Sequence, residues 1–209
     1  MAFSLGSVDI KAVSLGETPA QRISLGDVLV WQAFTEFTRA FTTVGAYSIA
    51  IPAGCSKIDI VAVSGGCGGY DSWFGPANGG AGGKWAWKTL QLGTDFLAGQ
   101  TITGAVGGGG AKNHAAGGNS TATVNGVTLA ALGVSSGNNL PGGTTTGIGP
   151  SGGNANNGRN VLLNGITYVG GADSGGVGNQ PGGGGAGGYG GFGGGSLGGP
   201  GEVWIRFYN

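Results

Sequence analysis

The sequence predicts an all-β protein: a small N-terminal β-meander followed by a glycine-rich, β-sandwich-like domain in which polyglycine II-type segments are packed. Three observations predict it. Glycine fills 53 of 209 positions, and only Gly6, Gly16 and Gly26 precede Gly45, so the chain has two unequal parts. Side chains in the glycine runs recur three residues apart, as at Ala186, Tyr189 and Phe192, and three residues per turn is the polyproline II repeat. Short β-prone apolar segments stand between the runs, and no stretch reads convincingly as a helix.

The three-residue spacing recurs at Asn78, Ala81, Lys84 and Trp87, and at Cys67, Tyr70 and Trp73, where Asp71, Ser72 and Phe74 interrupt it. Without a strict Gly-X-Y repeat the chain is not collagen, and composition alone equally fits a disordered linker. Fixing backbone costs roughly 1–2 kcal/mol per residue, and glycine has the most freedom to lose. Ordered glycine runs therefore require neighbouring backbone on which to pair their N–H and C=O groups, with close packing adding dispersion energy.

The elements follow in chain order. Ser4-Leu5-Gly6, Ser14-Leu15-Gly16 and Ser24-Leu25-Gly26 repeat at ten-residue spacing, each followed by β-prone residues, which predicts a small meander turning at the glycines. Some thirty residues bury too little apolar surface to stand alone, so this part reads as an attachment module, the other reading being padding at the edge of the main domain. Residues 33–44 are read as a strand, although Phe34, Phe37 and Phe41 also suit a helical face. Tyr47, Ile49 and Ile51 alternate before the Pro52-Ala53-Gly54 turn. In the 57–64 segment Val61 and Val63 oppose Ile58 and Ile60, so both faces are apolar and the strand should be central. The 84–92 segment puts Trp85 and Trp87 on a common face, and a short strand follows around 101–106. Asn125-Gly126 and Asn164-Gly165 each separate β-prone flanks, the strongest short-range hairpin signal. The closing 202–208 segment is a strand that needs a partner. The division expected is residues 1–44, docking module and connector, and 45–209, the glycine-rich domain.

Nine Lys and Arg balance nine Asp and Glu, with no basic stripe, so no nucleic-acid partner is expected. Apolar stretches fall short of a membrane span and the N-terminus lacks the features of a signal peptide, so no membrane insertion is expected. Cys55 and Cys67 are too few for a disulfide framework; a single bridge and two separate buried thiols both remain open. His114, the one histidine, lies in a loop with no partner identifiable for catalysis, the carboxylates are scattered, and no metal-ligand spacing or phosphate loop is present. No catalytic residue, metal or cofactor is assigned, and the chain is expected not to be an enzyme.

What remains is a binding surface. Tyr70, Asp71, Trp73 and Phe74 place three aromatics in an interruption of a glycine segment, where aromatics commonly anchor a partner. His114, Asn138, Asn139 and Arg159 add hydrogen-bonding groups in other loops, and loops on a rigid scaffold are where recognition usually sits. Trp73 and Phe74 have a second reading, as caps on the glycine helices or as residues of a subunit contact.

The 47–54 and 57–66 segments, the Asn-Gly-Val/Ile-Thr hairpins and the closing Gly198-Gly199-Pro200-Gly201-Glu202-Val203-Trp204-Ile205-Arg206 resemble glycine-rich domains of bacteriophage tail proteins, among them minor tail proteins of phages infecting actinobacteria. Gly26-Asp27-Val28-Leu29-Val30-Trp31 also resembles short modules at the start of phage tail-tip proteins. The resemblance implies a virion component at the tail tip, assembled in the host cytoplasm and acting outside the host cell. It is also similar to phage adhesins in which polyglycine helices carry receptor-binding loops. In this reading Leu5, Leu15, Leu25 and Trp31 are the virion-docking candidates. The partners implied are other tail proteins, a host cell-surface glycan or protein, and copies of the chain itself, with a trimer favoured. The readings from other classes are a tail-associated carbohydrate-processing enzyme and a cellular glycine-rich surface or ice-binding protein.

Overall fold

The computed structural model describes residues 33–75, 77–134, 160–172, 174–188 and 194–209, together with the strand segments before residue 33. Among the described residues there is no helix, and the fold is all-β. Among the described residues before residue 33 the strands pair as three two-stranded ladders and not as one continuous sheet: β1 (Ser4–Leu5) with β2 (Val8–Asp9), β3 (Ser14–Leu15) with β4 (Thr18–Pro19), and β5 (Arg22–Leu25) with β6 (Val28–Gln32). The reason lies in the repeat. Leu5 pairs with Val8, Leu15 with Thr18 and Leu25 with Val28, so each Ser-Leu-Gly unit closes on the residues just after it, across a two-residue connection. Local closure costs less chain entropy than reaching the neighbouring repeat.

The main domain is a sandwich of two antiparallel four-stranded sheets. β7 (Phe37–Phe41), β8 (Gly45–Ala50), β9 (Lys57–Val63), β10 (Trp85–Gln91), β11 (Thr101–Val106), β12 (Ser120–Val124), β13 (Val127–Ala131) and β16 (Glu202–Tyr208) build it. One sheet runs in the order β10-β9-β16-β7 and the other β13-β12-β11-β8. Ile58, Ile60, Val203, Ile205 and Phe207 from the first meet Ile102, Val106, Ala122 and Val124 from the second in the core. Residues 37–41 are thus strand, as expected, and β7 pairs along β16 from Phe37↔Phe207 to Phe41↔Val203. The division at residue 44 therefore falls after a strand that is hydrogen-bonded into the sheet of the glycine-rich part.

β9 lies between β10 and β16 and is buried on both faces, as its doubly apolar pattern demands. Its second face, Val61 and Val63, is covered by a third layer, the hairpin β14 (Val161–Leu163) and β15 (Ile166–Tyr168), through Val161, Tyr168 and the indoles of Trp85 and Trp204. Those indoles stack nearly parallel, 5.6 Å between centroids. Both Asn-Gly turns are present, with φ of 50° and 75° at Asn125 and Gly126 and 47° and 80° at Asn164 and Gly165. Cys55 and Cys67 are unbridged, buried thiols.

The glycine segments pack as extended rods. From Gly65 to Tyr70 successive N–H groups point in three directions and repeat: Gly65 and Gly68 donate to Gly118 and Ala115, Gly66 and Gly69 to Gly199 and Ser196, Cys67 and Tyr70 to Ala81 and Asn78. The same period holds elsewhere. Ala77, Gly80 and Gly83 donate to Gly188, Gly185 and Gly182, while Gly198 and Gly201 donate to Gly110 and Gly107. The 65–70 rod is the hub, touching the rods at 78–81, 110–113, 115–118, 185–188 and 196–199. A Cβ on Gly66 would meet the Gly183 carbonyl, and one on Gly69 the Ala186 carbonyl, so side chains are excluded by backbone and not merely absent. Ala81 and Ala186 are buried at two of the three-residue positions; Tyr189 and Phe192 lie outside the described residues. The spacing that reaches Trp87 ends at Lys84, because β10 begins at Trp85 and Trp87 there follows strand alternation.

Candidate functional site: the tip of the glycine bundle

Rods leave the sandwich in pairs. The 64–70 rod continues β9 and the 77–84 rod returns to β10; residues 107–113 continue β11 and 115–119 lead into β12; residues 194–201 lead into β16. Their far ends meet. Asn113 N–H donates to Gly69 C=O (2.9 Å), Gly188 N–H to Tyr70 C=O (2.9 Å), and Ala77 N–H to Gly188 C=O (2.9 Å). Two side chains lock the tip: Asn113 Oδ1 accepts from Asp71 N–H (3.2 Å) and Asp71 Oδ1 accepts from Gly195 N–H (2.6 Å). Glycine rods from three parts of the chain, 124 residues apart between Asp71 and Gly195, thereby share one end.

Residues 71–75 cannot continue as a rod because Asp71, Ser72, Trp73 and Phe74 supply four consecutive side chains where the lattice admits one in three. It turns instead, with Ser72 Oγ donating to the Gly75 carbonyl and Gly75 at φ 83°. The opposing loop turns through Asn113 and His114, both at positive φ (63° and 58°), backbone that side-chain-bearing residues adopt at a cost. That turn sets the His114 imidazole edge-on to the Tyr70 ring, 4.6 Å between centroids.

Together these loops border an open recess of about 490 Å³ lined by Tyr70, Asp71, Ser72, Trp73, Phe74, Ala77, Asn78 and His114. Tyr70 is 50 % exposed, Trp73 70 % and Phe74 96 %. The structure thus brings together five of the residues singled out in the sequence: Tyr70, Asp71, Trp73, Phe74 and His114. Asn138, Asn139 and Arg159 lie outside the described residues. Leu5, Leu15 and Leu25 occupy equivalent places as the last residues of β1, β3 and β5, and Trp31 of β6 pairs with Ile23 of β5. Sequence reasoning missed Asn113, which ties two loops together, and Asn78, in the recess wall. The signal available for Asn113 was an asparagine between Ala-Lys and His-Ala-Ala, a composition that permits a left-handed turn.

Among the described residues no group of three or more His, Cys, Asp or Glu side chains is placed to hold a metal ion. No helix among them is long and apolar enough to cross a membrane.

A sandwich that extrudes glycine hairpins to a common aromatic tip defines a class of glycine-rich β protein, and residues 42–208 match the family described as glycine-rich domain. The chain belongs to that family. It is 35% identical over 226 aligned residues to the "Gene 32 protein" of Mycobacterium phage D29, covering 98% of both chains. It is also 39% identical over 138 residues to the "Gene 32 protein" of Mycobacterium phage L5, an alignment covering 57% of this chain and 61% of that one.

Proposed function

We propose that this protein is a structural component of a phage tail tip that holds the glycine bundle outward for attachment to the host cell surface. The observation that carries the reading is the convergence of glycine rods from three parts of the chain on one end, where Tyr70, Trp73 and Phe74 face solvent on a backbone braced by hydrogen bonds of period three. Preorganised loops lose little entropy on binding, which favours recognition over structural filler. Kinship with phage proteins over nearly the whole chain supports a place in the virion. Within residues 1–44 the part before β7, with its three two-stranded ladders, is the docking module that joins other tail proteins. The protein acts by binding and not by catalysis, and several copies, most naturally three around the tail axis, would present several tips.

Two measurements test this. Antibody against the full chain should label the tail tip of intact virions in electron micrographs, and the purified full chain should reduce phage adsorption when added to host cells. Labelling confined to the capsid or tail shaft, or adsorption unchanged at saturating protein, overturns the reading.

A further inference from the structure

We propose that the tip recess takes an uncharged carbohydrate of the host surface, stacked on the exposed aromatic side chains of residues 70–74; this rests on the attachment reading above. The size of the site is the first reason. A recess of about 490 Å³ lies in the range of small-ligand pockets, roughly 300–1,000 Å³, whereas a standard protein interface is a broader face burying about 800 Å² per partner. Its lining is the second. Three aromatic side chains, led by Phe74 at 96 % exposure, stand half or more exposed within five residues, beside the Asp71 carboxylate, the Asn78 amide and the His114 imidazole.

A sugar ring matches that mixture, since its C–H face is apolar and its hydroxyl rim both donates and accepts. Asp71 already accepts from Gly195 N–H, and a carboxylate offers about four acceptor positions, so hydroxyl donors are accommodated as well. An acyl chain fits poorly, because burying it here would strip water from that carboxylate. Charge argues against an anionic ligand. Lys112 Nζ and Asp71 Oδ1 both border Gly194, at 3.2 and 3.5 Å from the position its Cβ would take, so the basic group at the tip is offset by an acidic one.

The test uses the fluorescently labelled full chain and intact host cells, untreated, treated with periodate to cleave vicinal diols, or treated with protease. The expected result is binding lowered about ten-fold or more by periodate and unchanged by protease. The double variant Trp73→Ala/Phe74→Ala, with unaltered circular dichroism and melting, should lose binding by about ten-fold or more, the loss of an aromatic anchor. Trp73→Phe, which keeps a ring, should retain most of it. Binding that protease removes and periodate spares identifies a protein partner and overturns the carbohydrate assignment while attachment stands. A double variant that binds like the wild type overturns the recess as the site, again leaving attachment intact. Failure of the wild type to bind untreated cells overturns both.

Discussion

Asn164 donates its side-chain amide to the buried carboxylate of Asp59, 2.9 Å away, and so ties the turn of the β14–β15 hairpin to the central strand 105 residues earlier. The same carboxylate oxygen accepts from Thr89 Oγ1 (2.6 Å) and Tyr208 OH (3.0 Å), and Arg206 approaches its other oxygen at 3.5 Å. Arg206 also donates to the Asn164 carbonyl (3.1 Å) and pairs with Glu36 (2.7 Å), which brings the segment before β7 into the cluster. A carboxyl group buried inside a protein is tolerated only with such a complement of partners.

Asn164→Gly should therefore cost more than Asn125→Gly. Glycine retains the left-handed turn at both positions, so the difference isolates the side chain. Asn164 loses hydrogen bonds to Asp59, Thr89 and Tyr208, whereas exposed Asn125 loses one to Gln100 (3.2 Å). Urea denaturation should show Asn164→Gly less stable by about 1–3 kcal/mol, with Asn125→Gly within about 1 kcal/mol of wild type. Equal losses would mean that the Asp59 cluster does not hold the hairpin.

Gly66→Ala should disrupt the bundle. Its Cβ meets the Gly183 carbonyl and those rods cannot part without breaking their hydrogen bonds, so a loss of about 3 kcal/mol or more is expected. Gly176→Ala is the control, since nothing lies within 4 Å of its Cβ and its φ is not left-handed; it should stay within about 0.5 kcal/mol. Thermal melting of the two variants checks this.

Burial raises the Glu202 carboxyl from 4.5 to about 7. The folded state thus holds a proton that the unfolded chain releases, and stability falls as pH rises from about 4.5 to 7 and then levels off. Glu202→Gln removes the ionisation. It should raise the melting temperature at pH 8 relative to wild type and narrow that gap at pH 4.5; an equal gap at both values contradicts burial as the cause.

Neither thiol should react in the folded protein. Cys67 is fully buried at the hub and Cys55 is 3 % exposed, with burial also pushing the Cys55 thiol pKa up. A thiol-specific chromogenic reagent should detect neither cysteine in native protein and both in denaturant. Rapid native labelling of Cys67 would show that the rods open readily.

Much of the fold is legible locally. The alternation of Ile58, Ile60, Val61 and Val63 marks a central strand, and both Asn-Gly pairs mark turns, because each depends on the residue and its immediate neighbours. The N-terminal repeat was legible as β but not as three two-stranded ladders, since pairing forward or backward satisfies the same hydrogen bonds. The aromatic interruption at 70–74 was legible as a loop. Its meeting with His114 was not, because that depends on two rods of matching length.

The sequence alone determined that the glycine segments repeat in threes and that aromatic residues break them at Tyr70–Phe74, for both are properties of neighbouring residues along the chain. Only the tertiary structure decided which carbonyl each rod's N–H meets, that Asn164 and not Asn125 reaches a buried carboxylate, and that rods from three parts of the chain end together. A bare glycine edge presents the same donors and acceptors to any partner. Its choice of neighbour is made by rod length, by the strands from which the rods emerge, and by the few side chains such as Asp71 and Asn113 that lock their ends.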